Sequence, residues 1–204
     1  MSRPATARLF IALELPVELR SELAAWARGA IGTTLRPGSV RLLAPEAMHL
    51  TMRFLGSRPM HEIDRLAAIV EEQAPPPDPA TLGAPLWLPA RRPRVLAVEV
   101  HDPAEGLLAL YRALCRALAE ADLDPDAPAN RRGHVSPPRR TFRPHVTVAR
   151  MRAGAAPRER ELPVTPRRSF LAPRVVLYRS FLQADGARYE PLAEGLPVGT
   201  AAPG

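Results

Sequence analysis

The chain has 204 residues, 46% of them hydrophobic, a mean hydropathy of −0.13 and no apolar run near the ~18–20 residues needed to span a bilayer. That excludes a helical membrane protein and leaves enough chain to bury a substantial core in one domain. The net charge is +7 and all 28 basic residues are arginine, so an anionic partner such as nucleic acid or phosphate is expected, although the arginine, alanine and proline bias itself reads as GC-rich coding.

In chain order, "ARLFIALEL" (7–15) predicts a strand, and Pro16 then opens an amphipathic helix through about Ala30. The start of the chain lacks the apolar core and small-residue cleavage site of a secretory signal, so a cytoplasmic location is expected. "SVRLLA" (39–44) and "AMHLTMRFLG" (47–56) read as strands, and 60–74 as a helix stopped by "PPPDP". "ATLGAPLWL" (80–88) and "RVLAVEV" (94–100) pair as strands around a proline- and arginine-rich turn. A helix covers about 103–121 and contains Cys115, the single cysteine, which excludes an internal disulfide and a multi-cysteine zinc site and reads as a core thiol. Residues 124–141 form a polar, proline-punctuated basic loop expected to be flexible. "RPHVTVARM" is a strand, 174–183 and 187–192 a closing hairpin around "ADG", and 197–204 a frayed tail. A strand and helix precede each of two similar strands. That repeat favours an α+β fold of two similar lobes, each built on a mostly antiparallel sheet, within a single 1–204 domain.

The two similar strands carry the chemistry. Alternation puts His49, Thr51 and Arg53 on one face of "HLTMRF", opposite Leu50, Met52 and Phe54. In "HVTVAR" it puts His145 and Thr147 opposite Val146 and Val148. Five histidines and nine threonines give roughly 0.2 His-x-Thr tripeptides by chance, so two in matched strands is a signal. The plain alternative is that both histidines are half-buried structural residues. A zinc site is disfavoured, because these faces offer threonine and arginine rather than a third histidine or a carboxylate. Two imidazoles without a metal suit acid–base chemistry at a phosphate, one taking a proton from water and the other donating to the leaving oxygen. The neighbouring hydroxyls of Thr51 and Thr147 can donate to the non-bridging oxygens.

Together with "RLFIALELP", "MHLTMRFLG", "FRPHVTVAR", "VVLYRSFL" and "RYEPL", these motifs resemble the 2H phosphoesterases, and within them the RNA 2′,3′-cyclic phosphodiesterases, also described as 2′-5′ RNA ligases (LigT-like). The resemblance covers nearly the whole chain. It implies two pseudo-symmetric lobes around a central cleft, with helices on the outer faces, and metal-free opening of an RNA 2′,3′-cyclic phosphate to a 2′-phosphomonoester without a cofactor. It implies His49 as proton donor, His145 as proton acceptor, and Thr51 and Thr147 as phosphate ligands. The family's arginine after the second motif matches Arg150. Simple alternation puts Arg150 on the apolar face, so it needs a bulge or a strand end to reach phosphate, whereas Arg53 has the favourable parity for a phosphate or cleft contact. Arg131, Arg132, Arg139 and Arg140, beside His134 in the basic loop, are candidate RNA-backbone contacts, and Phe142 is a candidate stacking platform or a core residue. Trp26 and Trp87 are expected in the core, and His61 and His101 on the surface. The expected partner is RNA with a 2′,3′-cyclic phosphate end, tRNA fragments among the candidates, bound by a monomer away from membranes. ATP-independent 2′-5′ RNA joining and non-catalytic RNA-end binding remain the alternatives.

Overall fold

Strand β1, Thr6–Glu14, is apolar from Leu9 through Leu13 without alternation, and those five residues are all buried. A strand covered on both faces reads this way, and β1 lies inside the sheet between two neighbours. Helix α1, Val17–Thr34, follows directly, with the Pro16 carbonyl accepting from the Arg20 amide to close its first turn. It buries Leu19, Leu23, Ala24, Ala27 and Ala30, one stripe at helical spacing. The computed structural model describes residues 5–34, 38–126, 142–157, 161–183 and 186–197. The basic-loop arginines Arg131, Arg132, Arg139 and Arg140, and His134, lie outside the described residues.

The remaining strands are β2 (Val40–Leu42), β3 (His49–Pro59), β4 (Ala80–Leu88), β5 (Val95–His101), β6 (His145–Met151), β7 (Ser169–Phe170), β8 (Val175–Gln183) and β9 (Gly186–Gly195). They order as β7-β4-β5-β6-β3-β1-β8-β9, with β2 also on β6, and every described pairing is antiparallel. The β3–β6 ladder is a single pair, Leu50 opposite Val146, whereas β1 and β3 pair over nine positions. The fold is thus α+β and two-lobed, one half built on β9-β8-β1-β3 and the other on β6-β5-β4-β7 with β2.

Two of the three described α-helices cross between the halves. α1 leaves the β1 half to lie against β2 and β6, while α2 (Ile63–Glu71) packs on β8 and β9. α3 (Gly106–Glu120) packs on β3 and α2, burying Leu107, Leu110, Leu114 and Leu118. The Asp102 carboxylate caps it, accepting from the Leu107 and Leu108 amides at 2.8 and 3.3 Å. Leu50, Met52, Val146 and Val148 join this helix-covered core, leaving the other sheet face for the cleft. Among the described residues no helix is long and apolar enough to cross a membrane.

Pro45 starts a 3₁₀ turn, Pro45–Ala47, so β3 begins at His49 rather than Ala47 and runs on to Pro59. The two-residue β7 was too short to leave a sequence signal. Phe142, expected either on RNA or in the core, stacks on Tyr111 of α3 with ring centroids 4.5 Å apart and packs against the core, so it is not a free base platform. Trp87 is buried, and the half-buried Trp26 donates to the Val164 carbonyl.

Gly195 ends β9 beneath α2. A Cβ there would collide with the Val70 and Gln73 carbonyl oxygens, which are backbone and cannot swing away. Gly195→Ala is expected to lower unfolding free energy by about 1–3 kcal/mol through overpacking. Urea denaturation checks this, and an unchanged midpoint would mean that the helix end yields freely.

Candidate active site

His49 and His145 each stand at the first position of a strand, and each is fixed in the same way. The Nδ1–H of His49 donates to the Ala47 carbonyl at 2.9 Å, and that of His145 to the Arg143 carbonyl at 2.8 Å. A carbonyl only accepts, so each bond holds the proton on Nδ1 and leaves Nε2 for other chemistry. Both imidazoles, with Thr51 and Thr147, line one cavity of about 430 Å³ bounded by β1, β2, β3, β6, β8 and β9. Among the described residues, none from a helix lines it.

Each motif strand then carries one extra residue at the same offset. Ala12 pairs with Thr51 and Ile11 with Arg53, so Met52 is bulged. Ala97 pairs with Thr147 and Leu96 with Ala149, so Val148 is bulged. A bulge inverts the alternation beyond it. Arg150 therefore turns into the cleft, as its candidate role requires.

The matching bulge has the opposite effect on Arg53, which simple alternation places beside His49 and Thr51. Instead Arg53 points away from the cavity and bonds Asp124 and Asp126 at 2.5 and 2.7 Å. Its role is to tie the chain after α3 to β3, and the expectation of a cleft contact is corrected. Phe54 takes the cleft position. It lines the cavity and is 67% exposed, at the same offset from His49 as Arg150 is from His145.

The surroundings of the two histidines differ. His49 sits in an aromatic box, its ring 4.8 Å from Phe10, 5.1 Å from Tyr189 and 6.2 Å from Tyr178. Burial in this box pushes the His49 imidazole down to about 4. The Ala47 hydrogen bond opposes the shift, and the charges of Arg150 and His145 add to it. Burial raises the Tyr178 phenol to about 12, so it stays protonated. For His145 the described residues supply no ring contact of this kind.

Sequence reasoning missed Arg8, Arg41, Phe10, Phe54 and Tyr189 in the lining. Arg8 shares the parity of Phe10 on β1 and could have been found that way. Arg41 lies on a three-residue strand, and its position depends on the ladder that sets it opposite Arg150. Cys115 on α3 is half-buried and outside the cavity lining.

A family model described as "2'-5' RNA ligase superfamily" matches residues 16–180. The chain is 28% identical over 196 residues to the RNA 2′,3′-cyclic phosphodiesterase of Escherichia coli K12, covering 94% of this chain and 96% of that protein. Its fold matches TT0787 of Thermus thermophilus with a TM-score of 0.74 at 26% identity, over 95% of this chain and all of that one. It also matches E. coli LigT complexed with 3′-AMP, at 0.70 and 25% identity, over 95% and 99% of the two chains.

The electrostatics of His49 have a measurable consequence. Folded, its ring takes a proton only near pH 4, whereas an unfolded histidine takes one near 6.5. Between those values the unfolded state binds more protons. The stability due to neutral His49 is therefore complete above pH 6.5 and is lost as pH falls toward 4, on the order of 3 kcal/mol in all. His49→Gln is expected to flatten the decline of unfolding free energy over that window, relative to wild type, in denaturant titrations at stepped pH. Parallel curves would refute a neutral, buried ring.

Proposed function

The chain belongs to the 2′-5′ RNA ligase superfamily, and from that premise we propose that it hydrolyses RNA 2′,3′-cyclic phosphate ends to 2′-phosphomonoesters. The mechanism is metal-free acid–base catalysis by His49 and His145. The observation that carries this reading is the pair of imidazoles in one cavity, each tethered through Nδ1 and each two residues before a cleft-lining threonine. The activity named for the E. coli relative supports the substrate class.

In this reaction water attacks phosphorus, the new P–O bond forms on one side, and the P–O3′ bond breaks on the other. His145 takes the proton from the water and His49 gives one to the departing O3′, so the pair ends with its protons exchanged and resets through solvent. This division of roles comes from the family resemblance. Thr51, Thr147 and Arg150 hold the non-bridging oxygens, where charge builds in the transition state. A divalent cation would meet the guanidiniums of Arg8, Arg41 and Arg150 in this cavity, and its described lining includes no carboxylate to offset them.

His49 is neutral in the empty cleft, so it must acquire its proton as the anion arrives. A phosphate beside an imidazole in weakly polar surroundings favours the charged form strongly. Phe54 supplies the other half of recognition. An exposed phenyl ring at the cleft is a surface on which a nucleobase can stack without sequence readout. We take the enzyme to act as a cytoplasmic monomer on RNA ends, tRNA fragments among them.

The reading is tested on a defined oligonucleotide ending in a 2′,3′-cyclic phosphate. His49→Ala and His145→Ala are each expected to lower the rate by roughly 10²–10⁴, with the wild-type product a 2′-phosphate and EDTA without effect. Undiminished turnover in both variants would remove the mechanism. An EDTA-sensitive rate would revive the metal alternative. Joined strands on adding a 5′-hydroxyl RNA would make ligation the main activity. Phe54→Ala is expected to raise KM by roughly five- to a hundredfold, the range of one lost base–aromatic stack, and an unchanged KM would free Phe54 from that role.

A further inference from the structure

Arg41 and Arg150 stand directly opposite each other on the β2–β6 ladder. Like charges paired across strands destabilise a sheet unless something between them is anionic. Among the described residues, Arg8, Arg41 and Arg150 form no ion pair with any carboxylate. The first cavity thus holds three guanidiniums, and a nucleoside cyclic phosphate brings one negative charge. Two positive charges remain unmatched before either histidine is protonated.

A second cavity, of about 350 Å³, continues from the first and shares Arg41, Leu43, Gln183, Gly186, Ala187 and Tyr189 with it. Arg188 adds a further cation there, and Glu46 is the one carboxylate among the described residues of its lining. Gly186, at the start of β9, sits against the Arg41 guanidinium. Its φ is +150°, a backbone conformation that side chains disfavour, and a Cβ would come within 3.2 Å of Arg41 Nη1. Because Arg41 lines both cavities, its guanidinium stands at their junction.

We propose that the second cavity, with Arg41 at its entrance, is a subsite for the phosphodiester preceding the terminal nucleotide, so that the preferred substrate is an oligonucleotide rather than a mononucleoside 2′,3′-cyclic phosphate. This rests on the cyclic phosphodiesterase reading and adds to it the class of chain that the cleft selects. The positive charge that one cyclic phosphate leaves unmatched is met by the next phosphate along the strand. Arg41 is a specificity-determining residue in this scheme and takes no part in proton transfer.

The test compares three substrates with wild-type enzyme and Arg41→Gln: a mononucleoside 2′,3′-cyclic phosphate, a dinucleotide with the same end, and that dinucleotide with a neutral methylphosphonate linkage. Wild type is expected to prefer the charged dinucleotide by roughly tenfold or more in kcat/KM, the worth of one charge-assisted phosphate contact. The neutral linkage should abolish that preference without any mutation, and Arg41→Gln should abolish it for the charged one. The slope of log affinity against log salt should shrink by about 0.7 in the variant, the value for one single-strand phosphate contact. No preference in wild type, a preference that survives the neutral linkage, or one that survives Arg41→Gln would overturn the proposal. If none of the substrates turns over, the hydrolytic reading falls by itself. The same ratios, measured as Kd values for 2′-O-methyl mono- and dinucleotide 3′-phosphates, then decide the subsite.

Discussion

Leu50 and Val146 face each other across the ladder that joins the two halves of the sheet, and both are fully buried. That contact sets the position of everything in the cleft. Each of the two residues directly follows a histidine, so pairing them brings the imidazoles to one place from sites 96 residues apart in sequence. Because the strands are antiparallel, side chains at equal offsets on β3 and β6 are related by an approximate two-fold axis through the pair. The described ladder is this one pair because each strand begins only one residue before it, so β3 and β6 run away from it in opposite directions along the sheet face that bears the cleft. The driving force is ordinary apolar burial on the far face, where Met52 and Val148 join the same core.

The bulges at Met52 and Val148 keep this symmetry while changing what each strand presents. Without them the fifth residue after each histidine would face the core, and a guanidinium there would need a buried partner. With them, Arg150 and Phe54 both reach the cavity. The cleft accordingly has a two-fold backbone and an asymmetric lining, with a cation at one end and an exposed phenyl ring at the other. Arg53 shows the cost of the device. Inverted toward the helix side, its charge is held by Asp124 and Asp126.

Much of this was legible in the sequence because period-two alternation is a local property. His49, Thr51, His145 and Thr147 could be assigned to a common kind of face from a few residues each. Bulges are not legible this way. Met52 and Val148 are apolar residues among apolar residues, and an extra one leaves the pattern looking regular while it reverses the parity of Arg53, Phe54 and Arg150. The aromatic box was equally hidden, since Phe10, Tyr178 and Tyr189 come from opposite ends of the chain and meet only because β8 pairs with β1 and then with β9. Phe142 was ambiguous for a related reason: an aromatic after a basic loop suits RNA or core, and only the position of Tyr111 decides between them.

A symmetric pair of imidazoles has no built-in direction, yet displacement at phosphorus needs one group to give a proton and the other to take it. The surroundings supply the difference. In the empty cleft a protonated His49 inside its aromatic box would be a positive charge removed from water, with the Arg150 guanidinium opposing it as well. The neutral ring is therefore the stable form until an anion enters. In the proposed reaction a bound phosphate opposes both effects, offsetting the nearby guanidinium and giving the imidazolium a partner in a weakly polar setting where Coulomb attraction is strong. On the proposed mechanism, binding of the anion and uptake of the proton are two sides of one equilibrium, and His49, the proposed acid, gains its charge when a phosphate is bound.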